Sequence, residues 1–170
     1  PEHVGQVARA MRASDRREIF AGRFDDDTEA LIAEILASLP QAAFWRVATT
    51  DDGTPVAFVA AFWRTPVSLD VWAFATEGFA GVALPLTRWI RRTVVPHFLG
   101  RGVTRAECRA SIENDAAIRW LGVLGARSEC VVRGLGRDGE TFIQMAWKQA
   151  RPGEVESGSP SRRARWQSRA

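Results

Sequence analysis

A short loop of small residues lies between a predicted strand, which ends near Ala75, and the helix that follows. The loop consists of Gly78, Phe79, Ala80 and Gly81. Glycine at a strand-to-helix junction permits a tight turn, because it adopts backbone conformations that other residues avoid. Small residues also let a ligand come close to the backbone. The sequence therefore predicts either a structural turn or a binding loop at this position.

The other reactive side chains are few and isolated. Cys108 and Cys130 are the only thiols and form no CxxC or Cys/His pattern, so the sequence predicts no zinc site and no disulfide framework. Cys108 has no evident histidine partner for nucleophilic chemistry. His97 lies on an apolar segment, which is more typical of a structural histidine than of a general base. Tyrosine is absent from the chain, so no mechanism can use a phenol.

Hydrophobic periodicity predicts an α/β chain that would hold these residues on a sheet. Ser14 is expected to cap the second helix, acidic residues precede the third, and Asn114 or Asp115 is expected to cap the last. Two Asp-Gly pairs predict hairpin turns. The predicted helices are 4–11, 14–20, 31–39, 84–95 and 115–124. The predicted strands are 44–49, 55–64, 69–75, 103–110, 127–132 and 141–148.

Composition divides the chain into a domain, residues 1–150, and a tail, residues 151–170. The net charge of +3 lies in the tail, where five Arg accompany two Glu, so the domain is neutral. The tail is rich in Ser, Gly, Pro and Arg and cannot bury itself, so we expect it to be disordered without a partner. Nonspecific contact with nucleic acid through phosphates is one role open to it. The longest apolar run, Pro55–Trp63, is too short to span a membrane.

The predicted order of helices and strands resembles a known protein family, and one helix with its following turn is the most specific part of the resemblance. Asn114–Leu121, followed by Leu124-Gly125-Ala126, resembles the Asn, Ala and Leu-Gly-Phe pattern of the GNAT superfamily of N-acetyltransferases, and an Asp-Gly hairpin follows shortly afterwards. The resemblance covers about Val4 to Lys148. It implies a mixed central sheet flanked by helices, in which the usual first strand is missing or short here.

Two segments narrow the resemblance further. Met11–Ile19 and Ile118–Leu121 together look like the acetyltransferase-like internal virion proteins of short-tailed bacteriophages. This resemblance implies a structural or assembly protein located in the virion, or in the host cytoplasm during assembly. Its partners would be other virion proteins or further copies of itself, and it would need no cofactor.

The superfamily resemblance also implies where a coenzyme would bind. Family enzymes hold the pyrophosphate of coenzyme A with a Gln/Arg-x-x-Gly-x-Gly/Ala loop. The corresponding stretch here is Ala75–Ala80, in which Gly78 and Ala80 keep the small positions, while Ala75 replaces the first residue and Glu77 adds a negative charge. A tight turn is therefore the favoured interpretation of Gly78, Phe79, Ala80 and Gly81. The resemblance also suggests that Asn114 orients a ligand, although helix capping is the favoured role.

Many family members use a tyrosine to protonate the departing thiolate, and this chain has none. Cys108 or Ser111 are the weak candidates for that role, and Asp70 or Glu107 for a base acting through water.

Three functions stay open at this stage. The first is a non-catalytic virion protein on an acetyltransferase-like scaffold. The second is an acetyl-CoA-dependent N-acetyltransferase of a protein or a small amine. The third is a packaging factor that contacts nucleic acid through the Arg-rich tail. The sequence does not identify a substrate, an oligomeric state or a place within a particle.

Overall fold

The computed structural model describes residues 2–149. The tail at 151–170, with its predicted disorder and nucleic-acid contacts, lies outside these residues. The helices are α1 (Glu2–Arg9), α2 (Ala13–Ala21), α3 (Thr28–Ser38), α4 (Phe79–Trp89), α5 (Val95–Gly100) and α6 (Asp115–Val123). The strands are β1 (Ala42–Thr49), β2 (Pro55–Thr65), β3 (Ser68–Ala75), β4 (Arg105–Ser111), β5 (Arg127–Val132) and β6 (Phe142–Lys148).

Of the two predicted helix caps one forms and one does not, and the acidic run before the third helix supplies a further cap. The Asp27 side chain accepts from the N–H groups of Glu29 and Ala30 and begins α3. The Asn114 side chain accepts from Ala117 N at 3.3 Å and begins α6. The prediction that Ser14 caps α2 is wrong. The helix begins one residue earlier, after Arg12, and makes no side-chain cap there.

The segment predicted as one helix over 84–95 is longer and divided. Helix α4 already begins at Phe79, so Pro85 lies inside it rather than in its first turn. Residues 90–94 then form a π-helical turn that leads into α5. Pro96 explains the change, since it has no N–H to continue the α-helical ladder and its ring crowds the preceding turn.

The six strands form one mixed sheet in the order β1-β2-β3-β4-β6-β5. Helices α1, α2 and α3 pack on what we call the front face, against buried residues such as Phe58 and Phe74. Helices α4, α5 and α6 pack on the back face, against residues such as Ala57, Ala61 and Cys108. Every neighbouring pair is antiparallel except β3 and β4, which run parallel.

The parallel pair is joined over only part of its length. Ser68, Leu69 and Asp70 pair with Arg105, Ala106 and Glu107, and the pairing stops there. Strand β3 continues to Ala75 and β4 to Ser111, so their carboxyl halves diverge. This opening, between residues 71–75 and 108–111, is called the β3–β4 gap below. It leaves Trp72 and Ala73 exposed in the middle of the sheet.

Candidate functional site

The β3–β4 gap presents backbone hydrogen-bonding groups that no strand uses. Ala75 directs its N–H and C=O away from β2 and into the gap, where Asp15 and Arg12 bind them. Ala73, two residues earlier on the same strand, has the same orientation because backbone direction alternates along a strand. No residue of β4 pairs with Ala73. The gap therefore offers one free strand edge, on which an extended ligand with amide groups could form strand-like hydrogen bonds.

Helix α2 closes the far end of the gap with two carboxylates. Asp15 accepts from Ala75 N at 2.9 Å, and Glu18 accepts from Ser111 N at 2.9 Å. The Asn114 side-chain amide donates to both carboxylates, at 3.1 Å and 2.9 Å. We call Asp15, Glu18 and Asn114 the carboxylate bridge. It links the ends of β3 and β4, which are too far apart to pair.

Burial shapes the electrostatics of this bridge. Burial raises the pKa of Glu18 above its usual range, and the hydrogen bonds from Ser111 and Asn114 only partly offset the effect. The Arg12 guanidinium lies 2.8 Å from Asp15 and also faces the Phe79 ring at 5.4 Å. Sequence analysis missed Asp15 and Glu18, because their partners lie 60 and 93 residues away along the chain.

The back side of the gap is apolar and aromatic. Phe79 of α4 packs edge-on against Trp120 of α6, with ring centroids 5.2 Å apart. The Trp120 indole N–H donates to Thr87 Oγ1 at 2.9 Å and fixes the two helices to each other. Cys108 is buried on this side, and burial raises the pKa of its thiol to about 12. Cys108 is therefore protonated at neutral pH and unsuited to nucleophilic attack.

The small-residue loop after β3 forms a tight turn with internal hydrogen bonds. Gly78 N donates to Thr76 Oγ1 at 3.2 Å, and Phe79 N donates to Thr76 O at 3.2 Å. A Cβ at Gly78 would lie 3.0 Å from a Val56 methyl group, so packing favours glycine there. Gly81 faces open space instead, with no atom within 4 Å of a Cβ built on it. Steric packing thus accounts for Gly78, whereas Gly81 leaves room for an approaching ligand.

The front side of the gap is polar. Asp70 and Glu107 lie opposite each other where the pairing of β3 and β4 ends. Glu107 is buried and bound by both Arg64 and Arg105. Asp70 accepts a hydrogen bond from the Trp72 indole N–H at 3.1 Å and has no cation within ion-pair distance among residues 2–149. Two carboxylates with different surroundings therefore face the same opening.

A loop contact borders this front side. The β5–β6 loop reaches the α2–α3 loop, where Arg137 N donates to Ala21 O at 2.8 Å. The Arg137 side chain also pairs with both carboxylate oxygens of Asp26 at 2.8 Å. We call this pair the loop clasp.

The two sides of the gap belong to one cavity of about 700 Å³. It is lined on the back by residues such as Phe79, Cys108 and Trp120, and on the front by Asp70 and Trp72. A cavity of this size holds a small organic ligand or an extended chain. Residues from both faces of the sheet line it, so the cavity passes between the two faces at the gap.

Of the residues predicted to form a site, the structure brings Cys108, Asn114 and Phe79 into the cavity wall. Glu107 lies at the end of the β3–β4 pairing, opposite Asp70, and is not part of that wall. Ala80 and Gly81 lie beside the gap at the start of α4 and are exposed. The side chain of Asn114 is fully used in capping α6 and binding the carboxylate bridge. Within residues 2–149, no group of three or more His, Cys, Asp and Glu side chains is arranged to hold a metal ion.

This architecture, a mixed sheet split between two parallel strands and flanked by helices, is that of the GNAT acetyltransferases. Many solved structures share it at low sequence identity. The ribosomal-protein-S18-alanine N-acetyltransferase from Escherichia coli superposes with a TM-score of 0.62, at 16% identity and with 90% of each chain covered. A protein from Salmonella typhimurium, solved with its cofactor acetyl-CoA, gives 0.61 at 14% identity, covering 85% of this chain and 90% of its own.

A third similar structure is the ribosomal-protein-S5-alanine acetyltransferase from Vibrio fischeri, with a TM-score of 0.57, 15% identity, and 86% and 88% coverage. No protein-family model matches the sequence, and no curated protein matches it. At these identities the likeness establishes the fold alone. No helix within residues 2–149 has the length and hydrophobicity needed to span a membrane.

Proposed function

We propose that this chain is an acetyl-CoA-dependent N-acetyltransferase whose acceptor is a small amine. The observation that carries the proposal is the cavity through the β3–β4 gap, which is apolar with free backbone groups on one side and polar, with the carboxylate of Asp70, on the other. Transfer of an acyl group to an amine needs such a pair of environments. The extended, amide-containing donor and the charged acceptor can then reach the same point without occupying the same space.

The residues around the back of the gap fit an amide-containing arm. Ala73 would exchange strand-like hydrogen bonds with it, and Cys108, Ala110 and Trp120 would shield it from water. When bound, acetyl-CoA supplies the acetyl group as a thioester. The open backbone at Gly81 is the position from which the first turn of α4 would face the diphosphate of the coenzyme. Glu77 is exposed, so its carboxylate can turn toward solvent.

Asp70 is the best-placed base on the front side. An amine must lose a proton to react, and a carboxylate without a bound cation can accept that proton directly or through water. Glu107 is less suited, since Arg64 and Arg105 already neutralise it and hold it in place. The Trp72 indole fixes the orientation of Asp70 at the opening. With no tyrosine present, we assign protonation of the departing thiolate to water rather than to a side chain.

Substituting the exposed Ala73 tests this assignment, because a larger side chain there would fill the gap without crowding the core. We expect acetyl-CoA to raise the melting temperature of the wild-type protein and of an Ala37→Leu control on the exposed side of α3. Ala73→Leu should fold normally yet lose this stabilisation and lose acetyl transfer. Equal stabilisation of Ala73→Leu and wild type would refute the placement of the coenzyme in the gap.

The carboxylate bridge favours a second candidate, a scaffold that has lost coenzyme binding. Asp15 already binds Ala75 N, one of the two backbone N–H groups that a ligand in the gap would need. On this view the bridge replaces the coenzyme as the structural link between β3 and β4. Complete absence of an acetyl-CoA effect on wild-type stability would favour this candidate over the enzyme.

The more specific expectation of a bacteriophage virion protein has no support among the similar structures named above, and it stays a prediction. Purified particles that contain the chain would establish it. Contact with nucleic acid through the Arg-rich tail is likewise a prediction, and deletion of residues 152–170 tests it.

A further inference from the structure

The cationic side chains that line the cavity are paired with carboxylates, with one exception. Arg12 pairs with Asp15, Arg23 with Glu34, Arg64 and Arg105 with Glu107, and Lys148 with Glu129. Arg109 lines the same cavity and has no carboxylate within 4.0 Å among residues 2–149. An arginine left without an anion in a wall where every other cation has one is available to bind an anionic ligand.

Arg109 has a hydrogen-bond partner, Gln144, that leaves the end of the guanidinium group free. Its Nε donates to Gln144 Oε1 at 3.0 Å, across the β4–β6 pair in which the two residues are directly opposite. This hydrogen bond orients the guanidinium plane and leaves the two terminal nitrogens unused. The terminal nitrogens of a guanidinium match the two oxygens of a carboxylate. Arg109 is thus held in position by one neighbour and free to bind through the opposite edge.

Asp70 provides the complementary charge nearby. It pairs in register with Glu107, and Arg109 follows two residues later on the same face of β4. Arg109 is therefore displaced from Asp70 by one strand spacing of about 5 Å across the sheet and by two residues, about 7 Å, along it. The two side chains and a small molecule with an ammonium and a carboxylate group can span this separation together. The Trp72 indole N–H binds one carboxylate oxygen of Asp70 and leaves the other oxygen for an ammonium group.

The other carboxylates in the wall do not offer this charge. Asp15 is paired with Arg12, and Glu18 is held by the backbone of Ser111 and by Asn114. Glu107, beside the wall, is paired with two arginines. Burial also raises the pKa of Glu18, which favours its neutral form. Apart from Glu18, Asp70 and Arg109 are therefore the charged side chains of the cavity wall without an ion-pair partner among residues 2–149.

We propose that the acceptor is an α-amino acid or a close analogue, with its carboxylate bound by Arg109 and its amino group presented to Asp70. This inference rests on the proposed function and names the substrate class of the same site. It makes Arg109 a specificity-determining residue, because an amine without a carboxylate leaves the guanidinium without its ligand. A phosphate dianion fits less well, since Asp70 lies on the same wall and Glu107 beside it.

Binding of matched amine pairs to the full-length protein tests the inference. The probes are L-phenylalanine against 2-phenylethylamine and L-leucine against 3-methylbutylamine, which differ within each pair only by the carboxylate. Titration calorimetry should show that the wild-type protein binds the amino acid at least about tenfold more tightly than the amine. Arg109→Gln should abolish that preference and leave the affinity for the amine unchanged.

Arg101→Gln is the matched control, since Arg101 is exposed and lies outside the cavity wall. This control should keep the full preference for the amino acid. Equal binding of amino acid and amine by the wild-type protein, or binding of neither, would overturn the inference. So would a preference that survives in Arg109→Gln.

An acetyl-CoA titration of the same three proteins separates this inference from the proposed function. Coenzyme binding without any amino-acid preference would leave the enzyme assignment standing and remove the acceptor class. An Arg109-dependent preference without coenzyme binding would establish the amino-acid site and refute the acetyltransferase.

Discussion

Replacement of Asn114 by alanine should destabilise the protein far more than loss of a helix cap explains. The Asn114 side chain is 3% exposed, caps α6 through Ala117 N, and donates to Asp15 and Glu18. Loss of a cap costs about 1 kcal/mol. Loss of two hydrogen bonds to buried carboxylates adds about 1 kcal/mol each, since each carboxylate keeps its backbone N–H partner. The expected total is about 3 kcal/mol.

Urea unfolding followed by circular dichroism measures this loss, and the melting temperature should fall by about 6 to 12 °C. Asp115→Asn serves as the control, because Asp115 is exposed in the same helix turn and its 3.9 Å pair with Arg119 contributes little. An Asn114→Ala protein destabilised by about 1 kcal/mol or less would show that only the cap is lost. The carboxylate bridge would then have no role in holding β3 and β4 together.

Three further outcomes are expected from the same structure. Because the pKa of Glu18 is raised in the folded protein, ionising this carboxyl costs stability there. Its contribution to the free energy of unfolding is full below about pH 4.5 and is lost as pH rises through the folded pKa. Glu18→Gln should therefore gain stability relative to wild type as pH increases, in urea unfolding at a series of pH values. A thiol reagent at pH 8 should label the exposed Cys130 in the native protein. It should label Cys108 only after unfolding, because that thiol is buried and its pKa is raised to about 12. Equal labelling of both cysteines in the native protein would contradict the buried position of Cys108. Arg137→Ala removes the loop clasp to Asp26 and should lower the free energy of unfolding by less than about 1 kcal/mol, because the pair is exposed. A larger loss in denaturant titration would show that the clasp stabilises the fold.

The predictable part of the fold depends on local signals. Asn114 has the short acceptor side chain that begins helices and caps α6, as expected, while Asp27 of the acidic run before α3 caps that helix. The Asp-Gly pair at Gly53 places glycine at a φ of +86°, a conformation that fixes the hairpin between β1 and β2. The sheet and its flanking helices follow from such signals together with hydrophobic periodicity.

Local signals fail where a distant partner decides the outcome. Ser14 has the right side chain for a cap, yet α2 begins earlier because Arg12 N is bound to Ala75 O across the gap. The helix predicted to begin at residue 84 extends back to Phe79, which packs against Trp120. Each contact joins residues more than 40 positions apart, and no pattern within either segment contains it.

The candidate site was predictable only in outline for the same reason. Phe79 of the small loop and the candidate Cys108 do line the cavity, and the candidate Glu107 lies where the pairing of β3 and β4 ends. The carboxylate bridge and the unpaired Arg109 did not emerge from the sequence. A charged side chain is recognised as unpaired only after its spatial neighbours are known. The neighbour of Arg109, Gln144, lies 35 residues away along the chain.

Hydrogen exchange at the Ala73 backbone amide, followed by NMR with and without saturating acetyl-CoA, tests the central claim most directly. Without ligand this N–H lacks a strand partner and should exchange quickly, while Phe74, paired with Phe58, should exchange slowly. Our account predicts that acetyl-CoA slows the exchange at Ala73 by at least about tenfold and leaves Phe74 unchanged. Unchanged exchange at Ala73 under saturating coenzyme would contradict it.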